Sequence, residues 1–233
     1  MCDVLYEGKS KLVCRGEDDS SVLIRYKDTA TAFNSKKKEE LAGKGRLNAE
    51  ISNILYAYLA DNGVKTHTIK VVNDTSILVR KAEIIMVEVI IRNVAAGSFS
   101  KKYGMPEGTE LQNTIVEFCL KSDALGDPMI NESQITAIGI ATKDEIEEMT
   151  VQALKINRLL CGLFKKTGIR LVDFKLEFGR AGGEILLCDE ISPDSCRLWD
   201  TDTGKKLDKD RFRHDLDSVL DGYRDVLRRL KNV

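Results

Sequence analysis

A chain of 233 residues, 42% apolar and 31% charged, can bury a sizeable core and lacks the composition of a disordered one. Its formal net charge of -1 excludes a global positive field for nucleic acid or anionic membrane, while leaving room for a local basic pocket that takes a small anion. The N-terminal MCDVLYEGKSK has charges where a signal peptide needs an apolar run. The longest apolar stretch, Ile84 to Ile91, is interrupted by Glu88 and too short to span a bilayer, so no membrane segment is expected. Six cysteines without a CxxC pair read as free thiols in a reducing, cytoplasmic compartment. His67 and His214 are the only histidines, and neither has zinc-ligand spacing.

Residues 4–27 read as short strands, VLYEG, KLVCR and SVLIRYK, separated by turns. From Ala30 to Gly45 runs a segment rich in lysine and glutamate, read as a solvated loop or, alternatively, as a lid over an anionic substrate. Leu47, Ile51, Ile54, Leu55, Tyr58 and Leu59 then fall at helical spacing, and Gly63 supplies a stop. Strands follow in THTIKVV, SILVRK and IIMVEVIIR, after which Ser98 stands where the N-cap of a helix is expected. Thr142-Lys-Asp-Glu145 is a capping box that opens a helix carrying Ile146, Met149, Ala153, Ile156, Leu160 and Leu163. LVDFKLEFG, the turn residues RAGG and EILLCDEIS form a hairpin, and a last amphipathic helix spans about Leu216 to Leu230. Strands lead, helices come later, and no strict βαβ alternation appears. The expected fold is therefore α+β with largely antiparallel sheet, a small lobe at 1–80, a larger one at 81–233, and a ligand cleft between them.

The hairpin carries the most chemistry. Strand alternation puts Asp173, Lys175 and Glu177 on one face and Phe174, Leu176 and Phe178 on the other. On the returning strand, an odd loop with a bulge would bring Asp189 beside Lys175 and Glu177, an even loop Glu190; Asp189 is preferred. Two carboxylates with a lysine between them suit Mg²⁺ held against nucleotide phosphates. Tyr6-Glu-Gly-Lys-Ser-Lys11 contains GKS but has Asp3 where a P-loop needs its first glycine. It is either an ordinary turn or a glycine turn that lays backbone N–H groups over phosphates, with Lys9 or Lys11 adding charge. In Glu88-Val-Ile-Ile-Arg-Asn-Val-Ala-Ala-Gly-Ser98 a strand ends at Arg92 and a helix start follows. That is a phosphate site or a plain cap beside a surface arginine. Ser192 to Trp199 leaves the acidic strand directly, so its loop either returns Asp194 and Arg197 to the cleft or packs on Trp199.

Together these segments resemble the SAICAR synthetase family. LVDFKLEFG at 171–179 matches one family signature, and EVIIRNVAAGS at 88–98 matches most of another. YEGKSK, KGRLN at 44–48, DEISPDSCRLWD at 189–200 and DKDRFR at 208–213 follow in family order, so the resemblance covers nearly the whole chain. One departure is Met86, where the family commonly has proline. The resemblance implies an ATP-binding fold with kinase-like and ATP-grasp-like features. It also implies condensation of CAIR, a carboxylated aminoimidazole ribotide, with L-aspartate at the expense of ATP, and a homodimer.

Residue by residue, it implies Glu177 and Asp189 on Mg²⁺, and Gly8, Lys9, Ser10 and Lys11 over the ATP phosphates. Backbone between Val79 and Ile84 would meet adenine. Arg92, Ser98 and Arg197 would hold the ribotide phosphate, with Asp194 in the same cleft. Glu88, Asp173 and Lys175 would surround the imidazole and its carboxylate. The segment from Lys36 to Lys44 would act as a lid admitting aspartate, with Arg213 contributing.

Overall fold

The computed structural model describes residues 3–32, 37–216 and 218–233. Two antiparallel sheets divide the work of the fold. The first is built from β1 (Val4–Glu7), β2 (Lys11–Arg15), β3 (Ser21–Tyr26), β6 (Thr68–Asn73) and β7 (Ser76–Arg80), in the order β1-β2-β3-β7-β6. Between β3 and β6 the chain forms a small hairpin, β4 (Thr29–Ala32) with β5 (Lys37–Glu40), and the helix α1 (Lys44–Asp61). The second sheet runs β10-β9-β8-β11-β12, with β13 also paired to β11. Its strands are β8 (Glu83–Val94), β9 (Glu110–Leu120), β10 (Met129–Ile130), β11 (Ile169–Ala181), β12 (Glu184–Cys188) and β13 (Cys196–Asp200). Helices α2 (Gly97–Tyr103), α3 (Glu132–Ala137), α4 (Lys143–Lys166), α5 (Asp210–Arg213) and α6 (Val219–Leu230) complete the order. The fold is α+β, and every strand pair within the sheets is antiparallel.

The core follows from side-chain periodicity. Phe174, Leu176 and Phe178 of β11 and Val87, Val89 and Ile91 of β8 are all 1% exposed or less, and α4 lays Ile146, Met149, Ala153, Ile156 and Leu160 over them. Burying each such side chain is worth roughly 1.5–3 kcal/mol, which makes this face the chief stabiliser of the second sheet. Helix α1 joins the two sheets: Ile51, Leu55 and Leu59 enter this core, while Ala49 packs with Tyr26, Ile77 and Val79 under the first sheet. Its start is held from upstream, because the Asp28 carboxylate accepts from Gly43 N (3.0 Å) and Gly45 N (2.8 Å). The two glycines between β11 and β12, Gly182 (φ 61°) and Gly183 (φ 78°), make the two-residue turn that closes the hairpin.

Several expectations need correction. The 30–45 segment is not one loop: Thr29–Ala32 and Lys37–Glu40 pair as strands, and Phe33 to Lys36 lie outside the described residues. Ser98 is not the N-cap of α2; that helix begins at Gly97 with Ala96 before it, because the left-handed Gly97 (φ 54°) lets the chain turn earlier. The final helix starts at Val219, not Leu216. Free thiols are found at Cys119, Cys161, Cys188 and Cys196, whereas Cys14 is disulfide-bonded and Cys2 lies outside the described residues. Pairing of β1 with β2 sets Val4 opposite Cys14, which brings that cysteine alongside the start of the chain. Met86, at the usual proline position, sits on a bulge of β8 between its Glu88–Glu177 and Ile84–Gly179 pairings and is 47% exposed. No helix among the described residues is long and apolar enough to cross a membrane.

The capping box is present as read: Thr142 Oγ1 accepts from Glu145 N at 3.2 Å, and Glu145 Oε2 accepts from Thr142 N at 2.8 Å. Replacing Thr142 by alanine should cost about 1 kcal/mol and lower the melting temperature by about 2–4 °C for a chain of this size. Thermal and urea unfolding check this, with a shift below about 0.3 kcal/mol counting against the cap.

Candidate active site

A cavity of about 750 Å³ lies where the two sheets meet. Every residue assigned above to nucleotide, metal, ribotide or catalysis lines it, from the Gly8 turn to Arg213. The wall is the exposed-side face of β8 and β11, whose register sets Arg92 opposite Asp173, Ile90 opposite Lys175 and Glu88 opposite Glu177. The alternation predicted for β11 therefore holds, but its charged face is not solvated: Asp173 and Glu177 are each 4% exposed.

At one end of this face, Glu88 and Glu177 stand directly across the strands, which alone would be repulsive. Lys175 Nζ resolves the conflict by donating to Glu88 Oε1 (2.7 Å) and Glu177 Oε1 (2.8 Å), and Lys121 Nζ adds a bond to Glu177 Oε1 (2.9 Å). Burial opposes the charge on Lys175, but Glu177, Asp189 and Glu88 outweigh it and raise its pKa well above the ordinary value. Lys11 comes across from the first sheet to bond Asp189 and to lie 3.1 Å from Glu190 Oε1. Burial works against ionisation of Asp189 too, yet Lys11 and Lys175 hold its carboxyl well below the usual range.

Both acids of the returning strand thus face the cleft. The turn before them has two residues, and β12 pairs Cys188 with Glu177, so regular alternation would aim Glu190 inward and Asp189 away. Asp189 escapes that rule because its backbone is left-handed (φ 64°), which ends β12 and rotates the side chain toward Lys11. The preferred residue is in the cleft, but for a different reason than loop parity.

At the other end three arginines and three carboxylates interlock. Arg92 donates to Asp173 Oδ2 (3.0 Å), Glu117 Oε2 (2.7 Å) and, more distantly, Ser98 Oγ (3.4 Å). Arg197 donates to the same Asp173 oxygen (2.8 Å) and to Asp210 Oδ2 (2.8 Å), and Arg213 to Asp210 Oδ1 (2.6 Å). Burial pushes the Asp173 carboxyl up against the pull of Arg197 and Arg92, whereas at Asp210 the two arginines overcome burial and lower it to about 2. Gly97 leaves room for this arginine, since a Cβ there would lie 2.3 Å from Arg197 Nη2 and the guanidinium would have to shift.

The glycine turn between β1 and β2 overhangs the cavity, with Gly8 N bonded to Lys11 O (2.8 Å) and Lys9 Nζ bonded to Asp123 (2.7 Å) of the second sheet's side. Ser10 lines it as well, and Val79 and Ile84 flank the connection between the sheets. Asp194 lines the cavity, but its oxygens are occupied by Lys44 Nζ (2.5 Å) and Tyr223 OH (2.6 Å). Lys44 is 1% exposed in that pair, so it is not part of a lid. Trp199, read as the competing anchor, packs with Val94, Ala96 and Val172 while Arg197 reaches the cleft; both readings of that loop hold at once.

Sequence reasoning missed Lys121, Glu117, Glu190 as a second cleft acid, His67, Lys209 and the anchoring role of Asp210. Glu117 belongs to β9 and Lys121 directly follows its end, and the alternation Val116, Phe118, Leu120 against Glu117, Cys119, Lys121 was the available signal. Lys209 Nζ hydrogen-bonds none of the described residues, and burial lowers its pKa against the pull of Asp194. His67 lies beside the Tyr56 ring (centroids 5.7 Å), and burial depresses its pKa from 6.5 to about 4 despite Asp189 nearby.

A wall that sets a carboxylate–lysine cluster at one end and an arginine nest at the other suits an enzyme handling two phosphate-bearing ligands at once. Comparison with known proteins narrows that class. The family model described as SAICAR synthetase matches residues 4–230. A phosphoribosylaminoimidazole-succinocarboxamide synthase of Clostridium perfringens is 50% identical over 99% of this chain and 98% of its own. The solved synthase of Ehrlichia chaffeensis superposes with a TM-score of 0.96 at 45% identity, over 99% of each chain. A SAICAR synthetase in complex with ADP superposes at 0.95 with 44% identity, over 98% of this chain and 97% of that one. The chain belongs to the SAICAR synthetase family.

The His67 shift has a definite sign. Above pH 6.5 the ring is neutral folded and unfolded; as pH falls from there toward 4 the unfolded chain protonates first, and stability drops. The loss should reach on the order of 3 kcal/mol. Urea unfolding at pH 7 and pH 4.5 should show a smaller acid loss in His67→Gln than in wild type, and equal losses would contradict the assignment.

Proposed function

We propose that the protein condenses CAIR with L-aspartate at the expense of ATP, giving SAICAR, ADP and phosphate in purine biosynthesis. The observation that carries this reading is the single β8–β11 face with a phosphate-type cluster at Glu88, Lys175 and Glu177 and an arginine nest at Arg92 and Asp173. It is supported by family membership over nearly the whole chain and by a relative solved with ADP.

The chemistry explains why both ends are needed together. A carboxylate is a poor acyl donor because oxide would have to leave. In the first step a CAIR carboxylate oxygen attacks the γ-phosphorus of ATP and ADP departs, leaving an acyl phosphate. In the second the aspartate amine attacks the acyl carbon, the amide bond forms and phosphate leaves, with the amine proton lost. Water must be kept away from the acyl phosphate, which a cavity between two sheets favours.

In this reading Lys9, Lys11 and the Gly8–Ser10 turn lie over the phosphates, and backbone from Val79 to Ile84 meets adenine. Arg92, Ser98 and Arg197 hold the ribotide phosphate. Glu88, Asp173 and Lys175 surround the imidazole and its carboxylate, and Arg213 serves the aspartate side; Asp194 supports the same wall through Lys44. Glu177 and Asp189 are the Mg²⁺ ligands. The donor set fits: both are buried or half-buried carboxylates now neutralised by lysines. Among the described residues no cluster of three or more His, Cys, Asp or Glu stands ready for a metal, so phosphate and water would complete the shell. Bound there, Mg²⁺ supplies neutralisation of phosphate charge. A lobe division at 1–80 and 81–233, a homodimer and a cytoplasmic setting complete the proposal. The change from one sheet to the other at Lys81 and Ala82 supports the division.

The test is ADP release from ATP and Mg²⁺ with CAIR, with and without L-aspartate, following SAICAR by mass. ADP and SAICAR in equal amounts, both requiring aspartate, are expected. ADP released equally well without aspartate would mean a kinase or an uncoupled ATPase instead.

A further inference from the structure

The sequence DKDRFR at 208–213 has a part that the function above does not use. Arg213 was assigned to substrate, but the two aspartates were assigned to nothing. Asp208 is 0% exposed and Asp210 2%. Asp210 divides its carboxylate between two cavity arginines: Oδ2 accepts from Arg197 Nε at 2.8 Å, and Oδ1 from Arg213 Nη1 at 2.6 Å. It lies behind them, since the cavity is lined by Arg197 and Arg213 but not by Asp210.

Asp210 is itself held. Asp208 Oδ1 accepts from Asp210 N at 2.7 Å, and Asp208 Oδ2 accepts from Leu198 N at 2.7 Å. Leu198 follows Arg197 on β13, so one buried side chain ties the backbone beside Arg197 to the backbone of the residue that grips it. Lys209 N adds a bond to Pro193 O at 3.0 Å. These bonds fix the guanidinium of Arg197 on its Nε edge, while Asp173 fixes Nη1 at 2.8 Å. Nη2 bonds none of the described residues and lies over Gly97, next to Ser98, with its donors free for an anion.

We propose that Asp210 is a positioning residue for the ribotide, aiming the free edge of Arg197 at the ribotide phosphate and steadying Arg213, with Asp208 as the brace that keeps Asp210 in place. Asp210 touches no substrate. It acts through arginines whose long side chains would otherwise sample many rotamers, so its loss should weaken binding of the ribotide that Arg197 serves and leave the ATP end alone. The inference rests on the ribotide role given to Arg197 above.

Asp210→Asn keeps the size and removes the charge. Its KM for CAIR should rise by ~10- to 100-fold, with KM for ATP changed by less than ~3-fold, both measured well below a melt that falls because Arg197 and Arg213 lose a buried counter-charge. Asp210→Glu keeps the charge at a longer reach, and should give a smaller rise that is still selective for CAIR. It also serves as the comparison should the asparagine variant fail to fold. Equal rises in KM for CAIR and ATP, or no rise for CAIR in either variant, would overturn the proposal. Arg197→Ala measured alongside separates the two readings. If Arg197→Ala leaves KM for CAIR unmoved, the ribotide assignment itself fails; if it raises that KM and the Asp210 variants do not, only the positioning role fails.

Discussion

The register between β8 and β11 is the constraint on which the site depends. It sets Arg92 against Asp173 and Glu88 against Glu177 on one face, and it sends Val89, Ile91, Phe174 and Leu176 to the other. Because strand side chains alternate, a slip of one residue would put the arginine and the acids into the core and the aromatic side chains into the cleft. Packing under α4 therefore holds the chemistry in place: the same burial that stabilises the second sheet forbids the slip. Lys175 then makes the face tolerable by lying between two glutamates that would otherwise repel.

Most of the charge in the cavity is paired within the protein, Lys209 being an exception among the described residues. Lys175 and Lys121 neutralise the Glu88–Glu177 pair, Lys11 neutralises Asp189, and the three arginines are matched by Asp173, Asp210 and Glu117. Unpaired buried charges would be costly, so each group is held in a fixed direction by its partner. Such a site needs little rearrangement when a phosphate replaces a carboxylate at a lysine or meets the unused edge of a guanidinium. The groups that hold it, such as Gly97 under Arg197 and Asp208 behind Asp210, carry no reactive chemistry.

Much of this was legible in the sequence because it rests on short-range periodicity. Alternation in LVDFKLEFG gave the charged and apolar faces of β11, the helical spacing after Gly45 gave α1, and Thr142 with Glu145 gave the start of α4. What escaped was set by tertiary contact. The inward turn of Asp189 depends on a left-handed backbone that no local rule assigns to aspartate at that point, and loop parity alone would have aimed Glu190 inward. Lys44 looked like one more lysine of a solvated run, yet it is buried because Asp194 and Tyr223 reach it from far along the chain. Glu117 on β9 and Lys121 just past its end follow an alternation that is present in the sequence, but their partners Arg92 and Glu177 come from other strands.

The claim that joins these observations is that the two ends of the β8–β11 face serve different ligands. Arg92→Ala tests it most directly, through its KM for CAIR set against its KM for ATP. A rise of roughly tenfold or more for CAIR, with ATP within about twofold, is the result the account predicts. Equal rises for both substrates would contradict it.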